Sequence, residues 1–235
     1  MAFGDLRTTP PQSGVAASTS ISLTHTNAPT AGDLIVVVMH KSESGYPGEP
    51  TDDGTGVFKE IGEQYRGYDG SNGSYTIHYK IAAGDETEVV SPITASGDWI
   101  MFIYVIEGAW RADPLDVAAR LGEQSTTAFD SGECPTNNTA NAYAVCLMGG
   151  EPSNLDILLS SFVGGFTEDA RPADFQVDLT FMGISHKLIT AREAVRCQAT
   201  WSGTNEDGIG VVAVFAEPTT VVNKPIRKHS GFVYG

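Results

Sequence analysis

The five histidines of this chain, His25, His40, His78, His186 and His229, are dispersed along it, with no HExxH and no pair at i, i+4. Metal-assisted hydrolysis and helix-borne metal sites need such spacing, so the histidines are read as structural. A nucleophile elbow of the GxSxG kind is absent, and SxxK does not recur with its partner motifs. The glycine-rich stretches GTG (54–56) and GSNGS (70–74) lack the lysine and the strand-to-helix setting of a phosphate cradle.

Carboxylates are the remaining candidates for chemistry. Asp52 with Asp53, Asp69 with Asn72, and Glu206 with Asp207 fall in turn-rich stretches where oxygen ligands could gather around Ca²⁺. None reproduces the spacing of a calcium-binding loop, and acidic loops ordinarily just meet water. A glycosidase needs two acids across a cleft, and nothing singles out such a pair among 29 acids. Tyr46, Tyr65, Tyr68 and Trp110 lie in or beside loops and could stack on sugar rings; the plainer reading is that they plug the ends of a sheet sandwich. The reading is of a non-enzymatic chain with no catalytic, cofactor or metal residue, Ca²⁺ being the one ion left open.

The elements that carry these residues are strands. A stretch at 77–108 can be laid over 184–217, so that Ile77, His78 and Lys80 meet Ile184, Ser185 and Lys187, and 99–106 falls near 208–215. Upstream, AGDLIVVVMHK (31–41) has a counterpart in ANAYAVCLMGG (140–150). An echo of this length, built of strand-like segments, predicts two similar β units packed face to face. Residues 34–39 (LIVVVM) form a continuous aliphatic run, as in a strand buried on both faces. In 75–82, Tyr75, Ile77, Tyr79 and Ile81 share one face and Thr76, His78 and Lys80 the other, which predicts a half-exposed strand. Residues 175–181 and 195–201 alternate in the same way. The stretch 113–122 could hold a short helical turn capped by Asp113 with Pro114 first, or a strand. Residues 153–165 are equally open between helix and strand, and 42–55 are turn-formers almost throughout, predicting a long exposed loop.

About nine to twelve strands with frequent turn signals predict an all-β fold, an antiparallel β-sandwich of jelly-roll type, with two similar Greek-key halves. The expected layout is an N-terminal arm over 1–19, a β-sandwich domain over 20–217 and a basic C-terminal arm over 218–235.

Composition narrows the partners. The 235 residues carry a net charge of −15, 18% charged residues, 26 Gly and 12 Pro. That mix suits strands joined by tight turns, and an acidic surface repels phosphate backbones, so no nucleic-acid partner is expected. No run of eighteen apolar residues and no secretory leader are present, so no membrane partner is expected either. Cys134, Cys146 and Cys197 are an odd number without CxxC spacing, and Cys146 and Cys197, each in a strand-like run, read as buried thiols. The tail contrasts with the body: Lys224, Arg227, Lys228 and His229 stand there without an acid, and removing the three fixed charges leaves the body at −18. Opposite charge would steer such a tail onto an acidic surface, with Phe232, Val233 and Tyr234 as an apolar anchor. Lys224, Arg227, Lys228, Phe232 and Tyr234 are therefore the candidate partner-binding residues.

Four segments together resemble a family of jelly-roll structural proteins of tailed bacteriophages. They are AGDLIVVVM (31–39), SYTIHYKIAAGDE (74–86), WIMFIYVIEGA (99–109) and the closing TW…GIGVVAVFAEP (200–218). The third departs from the family's usual YRG close, having Ile106, Glu107 and Gly108 there. The resemblance implies a non-enzymatic virion component, such as a capsid decoration, head-fibre or tail-associated protein. It would be made in the host cytoplasm, be homo-oligomeric, and attach to other virion proteins through a terminal arm. The alternative is a carbohydrate-binding or host-adhesion module of a phage tail, with a glycan as partner.

Overall fold

In the computed structural model the echo between the halves becomes two sheets, one from each half. The structure describes residues 3–8, 11–42, 46–65, 67–68, 73–122, 128–151, 162–170, 176–177, 180–200 and 207–217. The first half supplies β1 (Gln12–Thr24), β2 (Leu34–Ser42), β3 (Thr51–Asp52), β4 (Lys59–Glu60), β5 (Gly67–Tyr68), β6 (Gly73–Ile81) and β7 (Glu88–Ile106). The second supplies β8 (Leu115–Leu121), β9 (Ala128–Asp130), β10 (Ala142–Glu151), β11 (Thr167–Ala170), β12 (Gln176–Val177), β13 (Thr180–Ile189), β14 (Gln198–Thr200) and β15 (Asp207–Ala216). The described residues are thus all-β apart from one 3₁₀ turn, Glu63–Tyr65. None of their helices is long and apolar enough to cross a membrane.

Sheet one runs β1-β7-β2-β6-β4, and sheet two runs β8-β15-β10-β13-β11. In each half the last long strand inserts between the first and the second, and every pairing is antiparallel. The registers agree as well. Val38 faces Ile77 on one side and Phe102 on the other, while Leu147 faces Ile184 and Val211. These are the residues that the echo superposes. At the edge, Leu6 bridges to Ile106 as Leu115 pairs with Phe215.

Side chains alternate across a strand, so each sheet has two faces to cover. Val36, Val38, Tyr75, Ile77, Phe102 and Tyr104 pack against Val145, Leu147, Ile184, Val211 and Phe215 between the sheets. Gly149 lies where the halves come closest, since a Cβ there would meet the Tyr75 ring at 2.3 Å. The opposite face of sheet one (Ile35, Val37, Met39, Met101, Ile103) is covered by Ile21, Val89 and Phe58. Ile21 and Val89 sit where the far ends of β1 and β7 pair with each other, beyond a register shift at Ser18/Ser20, so those strands bend back over their own sheet. In the second half, Phe129 and Ala199 of the small β9·β14 pair, with Cys197 just before β14, cover Ala144, Cys146 and Val212. Residues 34–39 have no exposed surface, which accounts for their unbroken aliphatic run.

Two expectations change, at β6 and in the 42–55 loop, and two others gain detail. Within the stretch expected as an N-terminal arm, edge strand β1 begins at Gln12 and Arg7 reaches Asp33. The polar face of β6 is not wet: Thr76, His78 and Lys80 are 2–4% exposed. Period-two patterning reports a polar layer, and this one lies beneath the folded-back strands. The stretch 113–122, open between a helical turn and a strand, forms β8 over Leu115–Leu121, where pairing with β15 outweighs the capping signal of Asp113 and Pro114. The 42–55 loop contains β3, which joins β7.

Candidate functional site

The most concentrated polar cluster is built on the covered face of β6. Lys80 Nζ lies 2.6 Å from Asp52 Oδ2 and 2.9 Å from Glu86 Oε1, and it donates to the Thr55 carbonyl at 2.9 Å. The side chains of Lys80 and Asp52 are 2% exposed, and that of Glu86 not at all. The Phe58 ring lies over the ammonium, 5.6 Å from its centroid. Each carboxylate is also held by backbone. Asp52 Oδ1 accepts from the Gly54 amide at 3.2 Å; Glu86 accepts from the Ala83 and Gly84 amides at 2.7 and 2.8 Å. Gly84 sits at φ +90, and a Cβ there would meet the Ala31 nitrogen at 2.7 Å, so this turn requires glycine.

Burial pushes the Lys80 pKa down, but the hydrogen bonds to Asp52 and Glu86 outweigh it and hold the ammonium above its ordinary value. Burial pushes Glu86 up, and its amide donors with Lys80 bring it below its ordinary value. The cluster therefore rests as an ionic triad. Next to it Asp53 accepts from the Thr87 amide and hydroxyl and from the Glu88 amide, which keeps it well below the carboxylate range. A cleft of about 220 Å³ lined by Glu49, Pro50, Thr51, Asp52, Gly56, Val57 and Phe58 opens beside Asp52.

The second half repeats this arrangement in reduced form. Lys187 Nζ lies 3.1 Å from Glu193 Oε1 and donates to the Gly164 carbonyl at 2.9 Å. Its side chain is 19% exposed and that of Glu193 39%.

A different cluster ties the two sheets together. Asp169 accepts from Tyr104 Oη of sheet one at 2.8 Å and from His186 Nδ1 at 2.8 Å, with its side chain 3% exposed. Tyr143 stacks on His186 at 5.4 Å. Burial first, then Asp169, raise Tyr104 well above its ordinary value, so it is a hydrogen-bond donor and not a nucleophile. Asp33 is shared by Arg7 and the Thr30 and Gly108 amides, and Asp130 by Arg196, Gln198 and the Gly132 amide. Cys134, Cys146 and Cys197 are buried free thiols; burial pushes Cys134 up to about 12 and Cys146 well up too.

The structure places the sequence candidates as follows. Asp52 and Asp53 bind Lys80 and the backbone at 87–88. Trp110 is 6% exposed, packs on Phe3 and donates to the Ile106 carbonyl, so it plugs one end of the sandwich. Tyr46 is 41% exposed. His186 joins Asp169, whereas His25, His40 and His78 belong to the first half. Among the described residues no group of three or more His, Cys, Asp or Glu is placed to hold a metal ion. Asp69, Asn72 and Glu206, the side chains of Tyr65, Tyr68 and Asp207, and the tail candidates Lys224, Arg227, Lys228, Phe232 and Tyr234 lie outside the described residues. Glu86, Tyr104 and Asp169 were not singled out from the sequence. For Glu86 a signal existed: the echo repeats a lysine followed six residues later by a glutamate, at Lys80 and Glu86 and again at Lys187 and Glu193. Comparison with protein families, with curated proteins and with solved structures returns no match to this chain.

Proposed function

We propose that the chain is a non-enzymatic structural protein of a tailed-phage particle, a capsid decoration or head-fibre component, and that its two similar halves form a β-sandwich of jelly-roll type. Support for the fold label comes from the shared strand order, in which the first and last long strands of a half continue into a short covering layer. The segments that resemble phage structural proteins lie on β2, β6, β7 and β15, strands at the centre of the two sheets. The observation that carries the non-enzymatic reading is that the buried charges bind other parts of the fold. Lys80, Arg7 and Asp169 each join separate strands or segments, so their charges are directed at one another within the fold. Such a body acts through its surface. Attachment in many copies makes individually weak contacts sufficient by effective concentration.

In this reading the acidic body faces the medium and the basic tail, with Lys224, Arg227, Lys228, Phe232 and Tyr234, docks on the particle. The test is a deletion of 219–235. The truncated protein keeps its β-type circular-dichroism spectrum and fails to co-sediment with particles that bind the full chain. Incorporation at the level of the full chain would remove the tail from the attachment.

A further inference from the structure

We propose that Lys80 and Asp52 form an intramolecular amide cross-link, made by the folded protein itself with Glu86 as the proton carrier. A lysine ammonium and an aspartate carboxylate together contain one amide and one water, so the step needs no oxidant, reductant or added reactant. Nζ passes a proton to Glu86, and the neutral amine attacks Asp52 Cγ. The N–C bond forms, the C–Oδ2 bond breaks, and both protons lost by Nζ leave on Oδ2 as water.

In bulk water this condensation is blocked because both ions are hydrated and drift apart. The site removes both obstacles. All three side chains are at most 2% exposed, so the ionic pair loses its hydration and the neutral amide is favoured over separated charges. Nζ is already 2.6 Å from Oδ2, in hydrogen-bond contact with the carboxyl group it would attack. The remaining parts are present too. The Gly54 amide sits on Asp52 Oδ1, where negative charge grows in the tetrahedral intermediate. Glu86 stands 2.9 Å from Nζ, its carboxylate fixed by two backbone amides, in reach of the proton it carries. Phe58 roofs the amine, and the cleft of about 220 Å³ bordered by Asp52 and Phe58 gives the released water a way out.

The cross-link would staple β3 to β6 across the outer face of sheet one. The second half is an internal control: Lys187 retains the glutamate and the loop carbonyl but stands 19% exposed, where hydration protects the ammonium. The inference is independent of any role in a virus particle.

Intact mass spectrometry of the purified full-length protein, followed by peptide mapping, tests it. The folded protein is one water lighter than its sequence, and digestion yields a branched peptide joining the segment with Asp52 to the segment with Lys80. Lys80→Arg returns the sequence mass. Glu86→Gln slows conversion roughly a hundredfold or more. Asp52→Asn condenses with loss of ammonia and reaches the same product mass as the parent. Sequence mass in wild-type protein shown to be folded by circular dichroism overturns the proposal. So does a water loss that maps to a succinimide at Asp53 and Gly54. Both of these outcomes are measured on the wild-type chain, so they stand even where a variant fails to fold.

Discussion

The two halves run their long strands in the same order and register, yet they treat the same lysine differently. In the first half Lys80 is sealed between Asp52, Glu86 and Phe58; in the second Lys187 keeps a glutamate and a loop carbonyl and stays in contact with solvent. A shared backbone arrangement therefore does not dictate shared energetics. A surface pair contributes little because water competes for both partners, whereas in a buried triad attraction offsets desolvation only while every member is present, and removing one is costly. Replacing each lysine by methionine separates the cases. Measured against the unlinked ionic triad, Lys80→Met leaves two carboxylates facing each other out of water and is expected to cost about 3–5 kcal/mol. Lys187→Met is expected to cost about 1 kcal/mol or less. Urea unfolding of the two variants measures both, and equal losses would erase the distinction between the halves.

A second contrast lies at the position of closest approach. Where the second half has Gly149, the first has His40, fully buried and stacked on Tyr75 with ring centroids 4.6 Å apart. Burial holds the His40 imidazole neutral, its pKa pushed down to about 3. The unfolded chain binds a proton near pH 6.5 that the native protein refuses, so His40 costs nothing above pH 6.5. Stability is then lost as pH falls from 6.5 towards 3. His25, also lowered by burial, acts in the same direction. For His40 alone the loss is about 1.5 kcal/mol between pH 6.5 and 5. Urea midpoints at the two pH values measure it, and His40→Gln is expected to flatten most of the dependence. A variant with the parental slope would assign the effect to other groups.

Much of the architecture was legible because the echo is itself a register. Superposing Ile77 on Ile184 and Val38 on Leu147 predicts two similar β units, and these residues hold equivalent places in the two sheets. The aliphatic run at 34–39 announced burial on both faces, and Cys146 and Cys197 in strand-like runs announced buried thiols. The lysine cluster was not legible. An alternating strand with Thr76, His78 and Lys80 on one face has the same pattern whether that face meets water or a second layer. Asp52, the partner that decides the matter, stands among turn-formers and is brought to Lys80 only by the pairing of β3 with β7. Tyr104 and Asp169 come from different halves and meet only because the sheets stack. Contacts of that kind leave no local spacing to find.

The smallest expected effect concerns a position where the halves differ by one side chain. Tyr143 of β10 occupies the place that Leu34 has in β2, and it packs with its ring on His186. Leu34 brings no polar atom into that core. The Tyr143 hydroxyl does, and it is buried there without a hydrogen-bond partner among the described residues, although Asp169 lies close enough to raise its pKa after burial has done so. A buried hydroxyl with no partner forfeits its hydration and receives nothing in return, so Tyr143→Phe is expected to stabilise the protein by about 1 kcal/mol. In a chain of this size that corresponds to a melting point higher by roughly 2–4 °C. Tyr143→Leu, which copies the first half, removes the ring as well and is expected to lose stability through the cavity and the missing stack. A melting point that falls on Tyr143→Phe would show that the hydroxyl is bonded, through an ordered water to Asp169, and would add Tyr143 to the polar cluster that joins the two sheets.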